Sequence, residues 1–289
     1  MKIVTYRDRS EPNRYRVGSL LPDGGLADLT GLFSERSLTA AEVSGCYDLD
    51  GPFGKGAEIE ATALPRLDRA TADLCSPVPR PGKVICIGLN YRDHAEESGM
   101  PIPQSPLIFS KFPSCVIGHA ETIRIPAGSS QVDFEAELAV VIGKRTTRVA
   151  ADEAMASVFG YANFNDVSAR DFQFADGQWQ RGKSCDTFAP IGPFVATADE
   201  IADPQDLRIR FRLNGETLQD SRTDQLIFGI AELIEFLSRI ITLEPGDVIA
   251  TGTPPGVGFA RKPPVFMKDG DVAEVEIEGL GTLSNPVKS

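Results

Sequence analysis

The sequence predicts a β-rich α+β fold, with a few helices covering a mostly β body over residues 76–289 and a small N-terminal α/β domain over residues 1–75. Three observations carry this expectation. The 27 glycines and 21 prolines in 289 residues imply many turns, which suits short strands better than a helix bundle. Short apolar or alternating runs recur along the chain, each bounded by turn residues. Only a few stretches carry apolar residues at helical spacing.

Taken in order, KIVTY and RYRVGSLL read as strands separated by turn-rich sequence such as PDGG. A helix is expected near LTAAEVSG and a second near LDRATADL. CSPVPRPGK then reads as a linker, because its prolines remove donors and fix φ. KVICIGL is a continuous apolar run between Pro-Gly and Asn, as in a buried strand. PLIFSKF, FEAELAVVIG, FGYANFND, PIGPFVAT, LRIRFRLNG, DVIATG and DVAEVEIEG are further strands. LRIRFRLNGETLQ alternates and then carries Asn-Gly, a hairpin signal. AADEAMASVFGY and GIAELIEFLSRII are expected helices. NYRDHAEESGMPIPQSP reads as a polar loop or lid, with a short helix over HAEES that orders when something binds beneath it.

Composition narrows the function. The net charge of −12, from 29 basic and 41 acidic side chains, leaves no basic stripe for a nucleic-acid backbone and disfavours an anionic membrane surface. Small anions remain possible ligands if a metal or a few Lys and Arg reverse the local field. The five cysteines, Cys46, Cys75, Cys86, Cys115 and Cys185, are odd in number and form no CxxC pair, which argues against a disulfide framework and a zinc ribbon. Free thiols point to a reducing cytoplasm. The opening MKIVTYRDRS has no signal-peptide core, and no apolar run reaches the ~18 residues needed to span a bilayer.

DFEAELAVVIG holds the chemistry of greatest interest. On a strand, Asp133, Glu135 and Glu137 share one face while Ala136 and Leu138 point to the core. Two carboxylates about 7 Å apart repel each other, and inside a core they must protonate or find a cation. The same spacing also describes a solvated strand face. Asp166, at the end of the aromatic run GYANFND, supplies a third carboxylate. Three carboxylates without His or Cys favour Mg²⁺ or Mn²⁺ over zinc. His94 and Glu97 lie three residues apart in the lid segment, on one face of a helix. A histidine there is either a solvated surface group or a base whose ordinary pKa suits proton transfer. His119 lacks such context and reads as structural. Lys111, after an apolar strand, could also reach the pocket. The glycines of TGTPPGVG lack Walker spacing and form no phosphate loop.

Five ordered segments, IGLNYRDHAEE, DFEAELAVVIG, FNDVSARDFQ, GKSCDTFAPIGP and LEPGDVIATGTPPGVG, resemble the fumarylacetoacetate hydrolase family across most of residues 80–289. The resemblance implies a mixed β-roll or sandwich, usually a homodimer, with a smaller variable N-terminal domain. It implies Glu135, Glu137 and Asp166 as metal ligands for Mg²⁺ or Mn²⁺. It implies His94 as general base with Glu97 orienting it, and Lys183 beside the reacting centre. Arg170 and Gln173 are implied as contacts to substrate oxygens, and Thr253 as a contact to substrate carboxylate. Cys185 stands where the family commonly has Phe, and reads as a smaller packing residue.

The resemblance implies an enzyme acting on a small 2-oxo acid. The first reading is hydrolysis of a C–C bond in a 2,4-dioxo acid (an acylpyruvate) to a pyruvate-type product. Decarboxylation of oxaloacetate or another β-keto acid, or isomerisation of a 2-oxo diacid, would use the same enolate-stabilising parts. A non-catalytic binding protein on the same fold is the reading of another class, and its expected signature, loss of a chemical residue, is absent from the sequence.

Overall fold

The computed structural model describes residues 1–8, 14–34, 37–54, 64–67 and 72–289. The N-terminal strands are β1 (Lys2–Asp8), β2 (Arg16–Leu20), β3 (Leu26–Asp28), β4 (Arg66–Leu67) and β5 (Ala72–Cys75), with helix α1 (Ala40–Gly45) between β3 and β4. Thr39 and Glu42 cap α1 reciprocally, side chain to backbone in both directions. The helix expected near LDRATADL is absent from its described residues: Arg66–Leu67 and Ala72–Cys75 are strands, and 68–71 lie outside the description.

Next come β6 (Val84–Gly88), α2 (Arg92–Glu97), β7 (Leu107–Lys111), β8 (Val116–Ile117), β9 (Ile123–Arg124), β10 (Val132–Asp133) and β11 (Ala136–Ile142). They are followed by α3 (Ala151–Ala154), β12 (Val158–Asn165), β13 (Ser168–Ala169), α4 (Arg170–Ala175), α5 (Gln180–Lys183) and β14 (Ala189–Thr197). The chain closes with β15 (Arg208–Leu213), β16 (Glu216–Arg222), α6 (Ile230–Ser238), β17 (Val248–Ala250), β18 (Val272–Ile277) and β19 (Thr282–Lys288). The helix expected over AADEAMASVFGY stops after one turn of α3. Val158 onward, β-branched and aromatic, is claimed by pairing with β11 and β14.

The described strands form a large mixed sheet ordered β4-β3-β2-β1-β14-β12-β11-β17-β6-β7, with β5 on β1 and β8 on β14. A five-stranded sheet, β16-β15-β18-β19-β9, and the pair β10-β13 complete the layers. This is the β-rich, mixed-sheet α+β architecture with few helices that the sequence predicts. The pairing of β1 with β14 carries the large sheet across the expected boundary at 75/76. CSPVPRPGK is packed rather than loose: Ser76 and Val78 are buried, and Thr5 and Tyr47 both donate hydroxyl hydrogen bonds to the Pro77 carbonyl at 2.7 Å.

Central strands β11 and β12 are buried along their whole lengths. Each Val, Leu, Ile and Phe side chain there contributes roughly 1.5–3 kcal/mol of burial. Their antiparallel register sets Ala136 opposite Asn165, so the start of β11 and the end of β12 lie side by side. β17 pairs with β11 and runs parallel to β6. The segments after β17 and β6 therefore emerge at that same end of the sheet, and the candidate site is built there.

Candidate metal centre and active site

The strand expected from Phe134 begins at Ala136, two residues later. Glu135 precedes β11 and Glu137 lies within it, with Phe134 at the junction to β10. The buried Phe134 ring stacks on Phe211 of β15, 4.0 Å between centroids and 3° between planes, which fixes the junction against the second sheet. Glu135 is further held through its backbone: its carbonyl accepts from Asp166 N at 2.9 Å, and its N–H donates to Asn165 Oδ1 at 3.1 Å. The two strand ends thereby bring Glu135 and Asp166 together.

Glu135, Glu137 and Asp166 each offer a carboxylate oxygen such that all three lie within 4.8 Å of one another. All three residues are buried. Lys183, at the end of α5, donates to Glu135 at 2.9 Å and to Asp166 at 2.8 Å. Lys111, at the end of β7, forms a short buried ion pair with Asp166 and donates to the Val167 carbonyl at 2.9 Å. Arg170, at the start of α4, pairs with Glu135 and with Asp133, and donates to Gln173 Oε1 at 2.9 Å.

Four buried carboxylates (Asp133, Glu135, Glu137, Asp166) thus face three buried cations (Lys111, Arg170, Lys183). The missing positive charge falls on Glu137. Among the described residues it has no ion pair, and its Oε2 accepts only the Gly252 N–H, at 2.9 Å. Burial and the nearby Asp166 and Glu135 push the Glu137 carboxyl well above the usual carboxylate range. Burial pushes Glu135 the same way, but Lys183 and Arg170 outweigh it and hold that carboxyl down, at about 2. Burial works against the Lys183 charge, and Asp166 and Glu135 override it to raise its pKa. A buried carboxylate short of a cation, beside two more hard oxygen donors, fits a divalent ion of the Mg²⁺ or Mn²⁺ kind.

Asp133 is turned away from this cluster. It receives Arg170 Nε at 2.8 Å and the N–H groups of Gly258 at 2.7 Å and Phe259 at 3.1 Å. Its expected place on one face with the glutamates is kept only through Arg170, which bridges Asp133 and Glu135. Gly252 has φ +103°, and a Cβ there would meet the Asn90 Cβ at 2.7 Å, so the Glu137 donor depends on glycine.

The lid segment carries helix α2, whose residues Arg92–Glu97 include both His94 and Glu97. His94 is nearly buried, and its Nδ1 lies 3.1 Å from Glu97 Oε2. Glu97 in turn accepts from Gly256 N at 3.1 and 3.2 Å. Ser221 of β16 donates to Asp93, which fastens the helix to the second sheet. A cavity of about 510 Å³ is lined by His94, Glu135, Glu137, Arg170, Gln173, Lys183 and Thr253 together. Glu97 reaches it through His94, and Asp166 through Lys183. All nine residues named from the sequence therefore converge on one end of the sheet.

Three further residues escaped the sequence reading in part or whole. Lys111, left open there, is fully sequestered on Asp166. Gln219 donates to Thr253 Oγ1 at 2.9 Å and accepts from Ala136 N at 2.9 Å, so it positions both the threonine and the start of β11. Asn90 clamps the Phe228 and Thr251 carbonyls. The available signal was a polar side chain at an inward strand position (Gln219) or straight after a buried strand (Asn90). His119 is structural, its Nδ1 accepting from Ser284 N at 3.1 Å. Cys185 is half-buried against the apolar core.

Residues 83–288 match the family model described as fumarylacetoacetate (FAA) hydrolase, C-terminal. The chain belongs to the fumarylacetoacetate hydrolase family. It is 44% identical over 290 residues to the oxaloacetate tautomerase fahd2, mitochondrial, of Xenopus laevis, covering 99% of this chain and 90% of that one. It is 51% identical over 229 residues to the oxaloacetate tautomerase FAHD2A, mitochondrial, of Bos taurus, covering 78% and 73%. Among solved structures it resembles the fumarylacetoacetate hydrolase of Exiguobacterium antarcticum, with 37% identity, TM-score 0.86 and coverage of 100% and 99%. It also resembles the maleylpyruvate hydrolase of Sphingobium, with 32% identity, TM-score 0.80 and coverage of 100% and 99%.

The family is one of enzymes acting on small acids. The mitochondrial names of these relatives overturn the expected cytoplasmic location. The five cysteines are unpaired, but free thiols report a reducing environment and do not tell one reducing compartment from another. No described helix is long and apolar enough to cross a membrane.

Proposed function

We propose that this protein catalyses enol–keto proton transfer on a small 2-oxo diacid, with oxaloacetate as the leading substrate and decarboxylation as an accompanying reaction. The observation that carries the reading is the shared cavity: His94, backed by Glu97, lines the same space as Glu135, Glu137 and Lys183. The names of the Xenopus and bovine relatives support it over the hydrolysis of 2,4-dioxo acids that stood first on sequence.

Glu135, Glu137 and Asp166 would hold Mg²⁺ or Mn²⁺, which supplies Lewis-acid polarisation of substrate oxygens when bound. His94 engages Glu97 through Nδ1, leaving Nε2 to exchange a proton with the carbon beside the 2-oxo group. Glu97, fixed by the Gly256 N–H, holds the imidazole in the tautomer that puts the lone pair on Nε2. Lys183 and the Gln173 amide donate toward the oxygen that gains charge, while Arg170 and Thr253 meet substrate carboxylate.

The test follows decay of the oxaloacetate enol by ultraviolet absorbance in metal-stripped protein, with Mg²⁺ or Mn²⁺ then added, while pyruvate release is measured in parallel. Metal-dependent enol decay that is lost in His94→Ala is the expected result. Enol decay at the uncatalysed rate in the metal-loaded protein contradicts the proposal.

Hydrolysis of an acylpyruvate is the second reading, supported by the maleylpyruvate hydrolase neighbour. It requires His94 to take a proton from water, so His94→Ala abolishes it while decarboxylation survives. A homodimer belongs to the same proposal and is checked by sedimentation equilibrium.

A further inference from the structure

The cavity has two unlike walls. One carries His94, Glu135, Glu137, Arg170, Gln173 and Lys183. The other is apolar and aromatic, made by Met100, Leu107, Phe109, Phe174, Trp179 and Phe259. Two aromatic pairs are arranged about the two cations. Phe109 meets Trp179 edge-on at 5.4 Å, and the Lys183 ammonium lies 4.9 Å from the Phe109 ring centre. Phe174 meets Phe259 edge-on at 5.9 Å, and the Arg170 guanidinium lies 4.5 Å from the Phe259 ring centre. Met100, Leu107, Phe174 and Phe259 are exposed large apolar side chains gathered around this one opening.

A volume of about 510 Å³ falls within the range that holds drug-sized ligands, so a four-carbon diacid leaves much of it unfilled. Lys183 and Arg170 are the cations that line the cavity among the described residues, and both are already paired with carboxylates. The second carboxylate of a short diacid stays against the charged wall. That of a long diacid would be carried out to the rim, where Met100, Leu107, Phe174 and Phe259 offer it apolar surface and no ion pair.

We propose that the aromatic wall is a distal subsite for an apolar, preferably aryl, substituent. The site then accepts 2-oxo acids with an apolar tail and discriminates against those with a tail carboxylate. This rests on the proposed function, because the 2-oxo acid head must sit on the charged wall.

The experiment keeps the head constant and changes the tail. Benzoylpyruvate and succinylpyruvate are compared as competitors of oxaloacetate turnover in the metal-loaded enzyme. Benzoylpyruvate is expected to bind at least tenfold more tightly, and Phe174→Lys, a change at an exposed position, is expected to narrow or invert that ratio. Equal binding, tighter binding of succinylpyruvate, or a ratio unmoved by Phe174→Lys overturns the subsite. Metal-dependent oxaloacetate turnover with no benzoyl preference overturns the subsite alone. Absence of turnover under all metal conditions overturns the proposed function instead, and direct calorimetric binding of the two acylpyruvates then still decides the subsite.

Discussion

Arg170 donates from Nε to Asp133 at 2.8 Å, and this contact holds the arginine across the carboxylate cluster. Both groups are buried. Removing one partner of a buried pair leaves an uncompensated charge. Asp133→Ala is therefore expected to lower stability by about 3–5 kcal/mol in urea denaturation. Asp133→Asn, which keeps an acceptor, is expected to lose less. A loss below about 1 kcal/mol for the alanine variant would show that Arg170 is balanced without Asp133.

The His94–Glu97 contact predicts a different signature. Glu97→Gln removes the charge that orients the imidazole and keeps most of the shape. The expected outcome is a fall in kcat of roughly tenfold to a hundredfold with little change in KM, because the pair acts on proton transfer rather than on binding. Steady-state kinetics on oxaloacetate enol checks this. A rise in KM at constant kcat would make Glu97 a binding residue.

Phe134 ties the acidic motif to the second sheet through its stack on Phe211. Phe134→Ala removes a fully buried ring and is expected to cost about 3–5 kcal/mol. The milder Phe134→Leu is expected to leave a folded protein that binds Mn²⁺ more weakly, since Glu135 follows Phe134 directly. Thermal unfolding and a metal titration separate the two effects. Unchanged Mn²⁺ affinity in Phe134→Leu would show that the strand pairing alone fixes Glu135.

Away from the site, Glu276 pairs with Arg212 at 2.7 Å and Arg210 at 2.6 Å across β15 and β18. The hydrogen bond from Arg212 holds the Glu276 carboxyl below its usual value. A depressed carboxylate adds stability that is present above the unfolded pKa and lost as pH falls through the folded one. Glu276→Gln is therefore expected to lower Tm near neutrality, by roughly 2 °C at most for so exposed a pair, and to flatten the acid side below about pH 4.5, where the parent loses the same increment. Scans of Tm against pH at low and high salt test this, and an acid branch identical to that of the parent would contradict it.

Much of the site was legible because its residues are crowded into short motifs. Glu135 and Glu137 alternate on the chain, His94 and Glu97 are one helical turn apart, and Asp166 closes an aromatic strand. The parts that were not legible depend on register. Whether Asp133 joins its neighbours or turns to Arg170 is decided at the break between β10 and β11, where Phe134 enters the core. Lys111 and Gln219 reach the site from strands distant in sequence, and a hydrophobic pattern does not say which inward polar side chain finds which partner. The segment AADEAMASVFGY has helical spacing, yet pairing with β11 converts its last four residues, from Val158 on, to strand. Cysteine usage, likewise, spoke to redox state and not to compartment.

Calorimetric titration of Mn²⁺ or Mg²⁺ into metal-stripped protein, with oxaloacetate enol decay followed on the same samples, probes the carboxylate cluster most directly. One ion is expected to bind per chain, activity to return in step with occupancy, and Glu137→Gln to weaken binding at least tenfold. Full activity in the stripped protein, or an affinity untouched by Glu137→Gln, would contradict a metal centre at Glu135, Glu137 and Asp166.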